Sequence, residues 1–239
     1  MRIAIYGYGK MGKAIEAAAQ ARGHEVMLRV GSHNAGTPPT GADVAIEFSK
    51  PDQALGNVQL CLAHGVPVVV GTTGWYDRMN DVKRAVEDHQ GTLLWASNFS
   101  IGVNLFFRLN RQLAALMDAR NEYRVHMDEI HHVHKLDAPS GTAITLARDI
   151  DLKTQRYSGW QLNEATPNTA TPYIPIRSER TGEVPGKHSI TWTGPSDRII
   201  ITHEAFDRSG FAQGAVIAAE WLHGRTGLYT MDDVLDNLS

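Results

Sequence analysis

The first twenty residues carry the pattern that most restricts how this chain can fold. Residues 2–6 form a short apolar run, which is followed by Gly-Tyr-Gly-Lys-Met-Gly and by the helix-forming residues 13–20. A strand, a G-x-G-x-x-G turn and a helix in this order predict the first unit of a doubly wound parallel sheet that binds a dinucleotide. In that interpretation Gly7 allows the tight turn, Gly9 lets a pyrophosphate approach, and Gly12 lets the helix pack on the strand.

Strands and helices continue to alternate up to about residue 99. Apolar runs predict further strands at residues 25–30, 42–48, 66–70 and 92–95. Ligands of a parallel sheet bind beyond the carboxyl ends of its strands. Gly71, Thr72 and Thr73 directly follow one such strand, so we expect them to line the dinucleotide crevice, although a plain turn is the alternative. Four residues stand in the same position after the next strand: Ala96, Ser97, Asn98 and Phe99.

The second predicted strand is followed by residues that bear on the choice of coenzyme. Residues 31–34 read Gly-Ser-His-Asn, where an NAD enzyme usually has an acid about twenty residues beyond the glycine turn. A carboxylate there would bind the ribose hydroxyls and repel a 2′-phosphate, so its absence predicts use of NADPH or of both coenzymes. Ser32 and His33, with Arg29 nearby, could contact the phosphate or could be ordinary loop residues.

Beyond residue 100 the pattern changes. An amphipathic helix is predicted at residues 102–117 and a polar long loop at residues 151–171; strands with polar alternation are predicted at residues 122–132, 174–180, 188–192 and 198–203. Helices at residues 212–222 and 232–238 plausibly return to the first domain. The predicted fold class is α/β: a Rossmann-type doubly wound parallel sheet, residues 1–98 with 209–239, plus a second α/β domain with a mixed sheet, residues 99–208. Hinges are expected near Phe99 and Arg208.

Residues 129–142, read E-I-H-H-V-H-K-L-D-A-P-S-G-T, concentrate the chemistry of the chain. A strand that persists through this run would place His131 and Lys135 on one face and His132 on the other. Ser140 is a good N-cap, and Gly141 and Thr142 open a helix whose free N–H groups and positive dipole end attract an anion. Cations that lead into such a helix start predict an anionic substrate with a proton donor beside it.

Two other interpretations of the histidine cluster were weighed. Zinc ligation is disfavoured because adjacent His131 and His132 would point apart on a strand, and no cysteine pair or H-E-x-x-H spacing supports a metal site. A solvated edge strand guarded by lysine would explain a single histidine but not the whole run. Residues 180–188 lie between two later strands and could be a plain hairpin loop. Alternatively, three of them could add cations near the histidine cluster: Arg180, Lys187 and His188.

Charge and cysteine content exclude several classes of partner. A formal charge of −3 and a pI near 6.4 give no nucleic-acid footprint and no patch that would steer the chain to a membrane. The single cysteine, Cys61, excludes an internal disulfide and lies in an apolar helical run, which predicts a buried structural thiol. Without a signal peptide or membrane span, the expectation is a soluble cytoplasmic protein that binds a small molecule.

The motifs together resemble one family. G-Y-G-K-M-G, G-T-T-G, A-S-N-F, the run at residues 129–142 and R-x-G-x-x-x-G-x-H are similar to those of the 4-hydroxy-tetrahydrodipicolinate reductase (dihydrodipicolinate reductase) family of the diaminopimelate route to lysine. The resemblance covers nearly the whole chain, and residues 129–142 are its most specific part. It implies NADH- or NADPH-dependent reduction of a cyclic dicarboxylate, and usually a homotetramer formed through the sheets of the substrate domain.

The resemblance also implies roles for individual residues. His131 would be the acid/base residue and Lys135 the proton donor, while His132 and the helix start at Ser140, Gly141 and Thr142 would hold a substrate carboxylate. No metal is expected. The coenzyme would meet Gly7, Tyr8, Gly9, Lys10, Met11, Gly12, Gly71, Thr72, Thr73, Ala96, Ser97, Asn98, Phe99, Arg208 and Phe211. Ser32 departs from the family pattern, because many relatives have an acid there, and this leaves the coenzyme preference open.

Three other functions are compatible with parts of the pattern. A dinucleotide sensor without catalytic activity would use the cluster only to bind a carboxylate. A metal-dependent hydrolase would use the histidines as ligands. An oxidoreductase acting on a semialdehyde usually needs an active cysteine, and Cys61 is badly placed for that purpose.

Overall fold

The computed structural model describes residues 1–162 and 171–237 and divides the chain into two compact units. The first unit consists of residues 1–101 and 209–239, and the second unit of residues 102–208. In chain order the elements are β1 (Arg2–Tyr6), α1 (Lys10–Ala21), β2 (Glu25–Val30), β3 (Val44–Glu47), α2 (Pro51–Ala63), β4 (Val68–Val70), α3 (Met79–Asp88), β5 (Thr92–Trp95), α4 (Ile101–Met117), β6 (Arg124–His131), α5 (Gly141–Thr154), β7 (Trp160–Leu162), β8 (Ile174–Arg180), β9 (Gly186–Thr193), β10 (Arg198–Ala205), α6 (Ser209–Leu222), β11 (Gly227–Tyr229) and α7 (Met231–Leu235).

The first unit is built on a six-stranded sheet in the order β11-β5-β4-β3-β1-β2, and all of its strand pairs are parallel. All residues of β3 and β4 are buried, as expected for central strands covered on both faces. One apolar cluster joins the sheet to α1 and α6, and another joins it to α2 and α3. The predicted doubly wound sheet is therefore confirmed, and its strand ends bring the loops after β1, β3, β4 and β5 to one edge.

The second unit contains a five-stranded mixed sheet in the order β10-β9-β6-β8-β7. Strand β6 pairs antiparallel with β9 and parallel with β8. Val125, Met127, Ile190 and Trp192 point to one face, where they pack with residues of α4 and α5. The predicted mixed sheet is confirmed.

Two expectations about local structure need correction. Strand β6 ends at His131, opposite the last residue of β8, so the alternation predicted through Lys135 is wrong. A turn follows, in which the amide of Lys135 bonds the carbonyl oxygen of His132. The long loop predicted at residues 151–171 is wrong at its start, where α5 runs to Thr154, and β7 also falls inside it. The remainder of that prediction, residues 163–170, lies outside the described residues, as does Leu238 of the last predicted helix.

None of the helices in residues 1–162 and 171–237 combines the length and the apolar character that crossing a lipid bilayer requires.

Candidate active site

The glycine turn after β1 has the geometry that each glycine was predicted to provide. Gly7 has a φ of +90°, and a methyl group on it would lie 2.1 Å from the carbonyl oxygen of Phe48. A methyl group on Gly12 would lie 2.5 Å from the carbonyl oxygen of Gly7. The tight turn and the close helix packing are thereby confirmed. Gly9 has nothing within 4 Å of the position a methyl group would take, which leaves the space that a pyrophosphate needs.

The start of α1 offers free donors beside that space. Gly9 is the N-cap, and the amide of Lys13 is the first to bond back to its carbonyl oxygen, at 3.1 Å. Within the described residues the amides of Lys10, Met11 and Gly12 have no acceptor. Three unpaired N–H groups at the positive end of a helix fit the diphosphate of a dinucleotide.

A cavity of about 700 Å³ opens between the glycine turn, the end of β2 and the first turns of α2. Its lining includes Gly7, Tyr8, Gly9, Ser32, Phe48, Ser49, Lys50, Gln53, Gly56 and Asn57. This volume lies in the range of small-molecule sites, so the first unit fits a dinucleotide by its donors, its space and its place at the carboxyl edge of the sheet.

The cations near this cavity differ from those expected from the sequence. Arg29 forms an ion pair with Glu16, which also accepts a hydrogen bond from the hydroxyl of Tyr8. The Arg29 guanidinium lies 5.9 Å from the centre of the Tyr8 ring and does not line the cavity. Lys50 does line it, although the sequence analysis gave this residue no role in binding. Arg29 therefore holds Glu16 beside the glycine turn, and Lys50 is the cation among the residues that line the cavity.

Gly71, Thr72 and Thr73 follow β4 at the same sheet edge as the glycine turn. A methyl group on Gly71 would lie 2.1 Å from the ring of Phe48, so this glycine is required for packing. Thr72 is buried, and its hydroxyl has no partner within the described residues, whereas Thr73 is exposed. Their contact with coenzyme stays a prediction.

Residues 96–99 follow β5 at this same edge. The Phe99 ring is buried and lies 5.6 Å from the ring of Phe48, centre to centre, so any coenzyme contact from Phe99 would come from its backbone. Phe211, in the first turn of α6, is partly exposed.

In the second unit, the carboxylate of Glu129 is the centre of the predicted cluster. It accepts hydrogen bonds from the amide of Ser140 at 3.0 and 3.1 Å, from the hydroxyl of Ser178 at 2.8 Å and from the guanidinium of Arg180 at 3.0 Å. Burial alone would raise the pKa of Glu129, but bonds from His188, Ser140, Ser178 and Arg180 outweigh it and hold the pKa well below its usual range. Glu129 is therefore a fixed negative charge that joins β6, β8 and the start of α5.

His131 is buried beside this carboxylate. Its Nδ1 lies 3.6 Å from Oε2 of Glu129, and its ring meets that of His188 edge to face at 5.0 Å. The pKa of His131 is lowered to about 4, chiefly by burial and by the nearby His188, and to a smaller extent by Lys135 and Arg180. Glu129 opposes this shift. At neutral pH the imidazole is neutral, so one ring nitrogen can accept a hydrogen bond and the other can donate one while the ring carries no charge.

The lowered pKa of His131 predicts an acid-dependent loss of stability. Between an ordinary pKa of 6.5 and a folded value of about 4, the unfolded chain binds a proton that the folded chain does not, so stability falls as pH is lowered through this range. At pH 5 the loss relative to pH 7 should be about 2 kcal/mol. Urea unfolding of the protein and of His131→Asn at both pH values isolates this contribution; equal losses in both proteins would contradict it.

Lys135 lies in the turn after β6, with its Nζ 2.7 and 2.8 Å from the two carboxylate oxygens of Asp137. Its side chain is largely covered, and its charge is close enough to His131 to help lower the pKa of that imidazole. Burial raises the pKa of Asp137, but the hydrogen bond and charge of Lys135, together with a backbone hydrogen bond and Arg180, outweigh it and lower the pKa. The pair holds an ammonium group next to the buried histidine.

The other two histidines of the cluster point elsewhere. His132 Nε2 lies 3.0 Å from the guanidinium of Arg208, and both residues belong to the second unit. His134 is exposed and pairs with Glu183 at 3.1 Å. Arg208, expected at the coenzyme, is thus joined in this structure to a residue expected at the substrate.

Helix α5 begins as predicted, with Ser140 as its N-cap. The Ser140 hydroxyl accepts a bond from the amide of Ala143 at 3.2 Å. Its own amide is taken by Glu129 and is not available to a substrate. Within the described residues the amides of Gly141 and Thr142 have no acceptor, so both are available to an anion, and their contact with a substrate stays a prediction.

The loop between β8 and β9 brings two of its three candidate cations to the cluster. Arg180 bonds Glu129, and Nε2 of His188 lies 3.0 Å from the hydroxyl of Ser140. Lys187 points to the other face of the sheet and pairs with Glu204 at 3.1 Å.

Glu129, His131 and His188 place one ligand atom each within 4.8 Å of one another, a grouping that a metal ion could use. The Arg180 guanidinium already holds the carboxylate at 3.0 Å, and a metal would have to share it with that charge. The grouping combines residues of β6 and β9, which spacing along the chain could not reveal.

Cys61 is fully buried, as predicted, and burial raises the pKa of its thiol to about 12. A thiol of this kind does not act as a nucleophile, which removes the support for a semialdehyde enzyme.

Glu129, Asp137 and Ser178 take part in the site although no role was predicted for them. The first two lie inside the 129–142 run, so their position was a usable signal. Ser178 carried no local signal, because its place opposite Glu129 depends on the register of β6 with β8.

Comparison with known proteins supports a single family. The model described as "Dihydrodipicolinate reductase, N-terminus" matches residues 32–99, and the one described as "Dihydrodipicolinate reductase, C-terminus" matches residues 102–235. A protein of Christiangramia forsetii named 4-hydroxy-tetrahydrodipicolinate reductase is 45% identical over 240 residues, 100% of this chain and 99% of that protein. A protein of the same name from Neisseria meningitidis is 36% identical and covers 92% of this chain and 83% of its own length.

Among solved structures, a dipicolinate-bound dihydrodipicolinate reductase from Paenisporosarcina sp. TG-14 matches with a TM-score of 0.76 at 24% identity. The match covers 96% of this chain and 97% of that chain, and it supports the shared fold.

Proposed function

This chain belongs to the dihydrodipicolinate reductase family, and from that premise we propose how its residues carry out the reaction. The protein is an oxidoreductase with 4-hydroxy-tetrahydrodipicolinate reductase activity in lysine and diaminopimelate biosynthesis, and it uses NAD(P)H. Our proposal assigns coenzyme binding to the first unit and substrate binding to the second. We also place the enzyme in the cytoplasm, where its single thiol stays reduced.

For coenzyme binding, the free amides of Lys10, Met11 and Gly12 bind the diphosphate, and Gly9 lets it approach the backbone. The cavity beside Ser32 receives the adenosine half. The nicotinamide supplies the hydride when the coenzyme is bound. The remaining predicted contacts, at residues 71–73 and 96–99 and at Arg208 and Phe211, are part of the same proposal.

For the substrate, the amides of Gly141 and Thr142 bind one carboxylate, and His132 remains a further predicted contact. These donors need no side-chain ordering, because α5 holds them in place. The 4-hydroxyl group of the substrate leaves as water, and the Lys135 ammonium supplies the proton that the ring gains on reduction. Asp137 orients that ammonium. Solvent returns a proton to the Lys135 amine. His131, neutral at neutral pH, can relay that proton by taking one up at one ring nitrogen as the other nitrogen releases one.

The observation that carries this proposal is the convergence, within one unit, of a buried carboxylate, a neutral histidine, a held ammonium and two free helix-start amides. The test follows NADH and NADPH absorbance, separately, with substrate generated in situ from pyruvate and aspartate semialdehyde by the preceding synthase. Rapid oxidation of either coenzyme, unaffected by a chelator, is expected. Dinucleotide binding without oxidation would favour a sensor, and loss of activity with chelator would favour the metal alternative.

Ser32 offers a direct test of coenzyme choice. Ser32→Asp places a carboxylate at the cavity, where it repels a 2′-phosphate and accepts bonds from the ribose hydroxyls. We expect the KM for NADPH to rise about tenfold or more, while the KM for NADH changes by less than about threefold, since two charges at close range near a surface interact by several kcal/mol. Ser32→Ala is the control, because it removes the hydroxyl without adding charge. Equal effects of Asp on both coenzymes would refute the assignment of Ser32.

The homotetramer implied by the family resemblance is also a proposal. The face of the second unit's sheet opposite α4 and α5 carries His126, Asp128, Lys187 and Ile200, and Ile200 is half exposed. A sheet face with this mixture of apolar and charged groups suits contact with another copy. Sedimentation velocity of the intact protein distinguishes a tetramer from a monomer.

A further inference from the structure

We propose that Glu129 is a positioning residue that aims the substrate-binding amides of α5, and that Glu47 has the corresponding task at the coenzyme cavity. The inference deepens the proposed function and rests on it. Among the described residues, these are the two carboxylates less than 2% exposed, and neither is close enough to solvent to touch a ligand directly. Burying a carboxylate costs free energy of folding unless hydrogen-bond donors compensate its charge. The groups that donate to the carboxylate therefore show which segments it holds in place.

Glu129 holds the segment just before the anion-binding amides. Both of its oxygens accept from the amide of Ser140, the residue that precedes Gly141. Helix capping does not require this bond, since the Ser140 hydroxyl already caps α5. The bonds from Ser178 and Arg180 fix the same carboxylate to β8. The direction of the free amides is thus tied to β6 and β8 by this carboxylate, in addition to the contact between the Ser140 hydroxyl and His188 of β9.

Glu47, at the carboxyl end of β3, holds part of the cavity wall in place through hydrogen bonds to its carboxylate. Its Oε1 accepts from the amide of Ser49 at 3.0 Å, from the Ser49 hydroxyl and from the side-chain amide of Asn57 at 3.3 Å. Ser49 and Asn57 both line the cavity, one from the β3–α2 turn and one from α2. The other carboxylate oxygen is buried without a partner among the described residues. Glu47 therefore links the two polar parts of the cavity wall.

The experiment compares Glu129→Gln with Glu47→Gln, which are matched in residue type and in burial. Binding of pyridine-2,6-dicarboxylate, a planar cyclic dicarboxylate, is measured by calorimetry, and binding of NADH by fluorescence. Glutamine keeps the size but turns one acceptor into a donor that faces the Ser140 amide or the Arg180 guanidinium. Steady-state kinetics and urea unfolding are measured on the same samples.

Each variant is expected to weaken the binding of one ligand and to spare the other. Glu129→Gln should weaken dicarboxylate binding and raise the substrate KM about ten- to a hundredfold, with a smaller fall in kcat and with NADH binding changed less than about twofold. Glu47→Gln should weaken NADH binding by about tenfold and leave dicarboxylate binding unchanged. Glu129→Asp, which keeps the charge, should recover part of the dicarboxylate affinity.

Loss of stability with both affinities unchanged would reduce the two glutamates to structural residues and overturn the proposal. Equal loss of both affinities in either variant would also overturn it, as would failure of the unaltered protein to bind the dicarboxylate. If Glu129→Gln does not fold, Ser178→Ala removes one donor and keeps the carboxylate; it should weaken dicarboxylate binding about two- to fivefold, and no change would count against the proposal. An unaltered protein that binds both ligands but oxidises no coenzyme would refute the proposed function, while the binding results would still decide the roles of the glutamates.

Discussion

Replacing Lys135 by alanine is expected to lower turnover about a hundred- to ten-thousandfold, because it removes the proposed proton donor from the site. The ammonium is held against both oxygens of Asp137 and lies near the buried His131, so no other described lysine can take its place. Substrate KM should change much less than kcat, since the amides of Gly141 and Thr142 remain. Steady-state kinetics with the substrate generated in situ measures both.

Arginine at the same position separates charge from proton transfer. Lys135→Arg keeps a cation for the anionic substrate, but a guanidinium does not release its proton at neutral pH. We expect a KM near that of the unaltered enzyme and a kcat nearly as low as that of Lys135→Ala. Lys153→Ala, at the exposed far end of α5, is the matched control and should retain full activity. Near-normal turnover of either Lys135 variant would remove this residue from the mechanism.

Alanine at Gly7 should abolish useful coenzyme binding and destabilise the first unit. The residue has a φ of +90°, and the new methyl group would lie 2.1 Å from the backbone oxygen of Phe48. The unfavourable backbone conformation and the steric clash together should lower the free energy of unfolding by about 3 kcal/mol or more. Because the turn must shift away from β3, the amides at the start of α1 move too, and NADH affinity should fall about a hundredfold. Urea unfolding and NADH fluorescence titration test the two effects.

Gly23 provides the comparison. It also has a positive φ, +79°, but nothing lies within 4 Å of the position of an added methyl group. Gly23→Ala should lower the free energy of unfolding by only about 1 kcal/mol and leave NADH affinity intact, because the alanine has the backbone conformational penalty but no steric clash. If the two variants behave alike, the contact with Phe48 is not what makes Gly7 necessary.

The features that could be predicted from the sequence are those set by neighbouring residues. The roles of Gly7 and Gly12 follow from a turn between adjacent elements, and Ser140 as N-cap follows from the residues next to it. Burial of Cys61 follows from the apolar run around it. Each of these expectations is confirmed by the structure.

The features that could not be predicted depend on distant partners. The end of β6 at His131 is set by where β8 ends, about fifty residues later along the chain. The pairing of Arg29 with Glu16 depends on how α1 packs beside β2. The links from Glu129 to Ser178 and Arg180 depend on strand register. The short strands β7 and β11 are recognisable only from the neighbours they pair with.

The interruption of the first unit by the second has a consequence for biosynthesis. Helix α6, strand β11 and helix α7 belong to the first unit but are the last parts of it to leave the ribosome. Helix α6 supplies Ala215, Val216 and Leu222 to the core that covers β1 and β3. The second unit is continuous in sequence and can close its core during translation. The nascent dinucleotide unit must meanwhile keep one apolar sheet face and the edge of β5 open, which makes it the part of the newborn chain that a chaperone would have to shield.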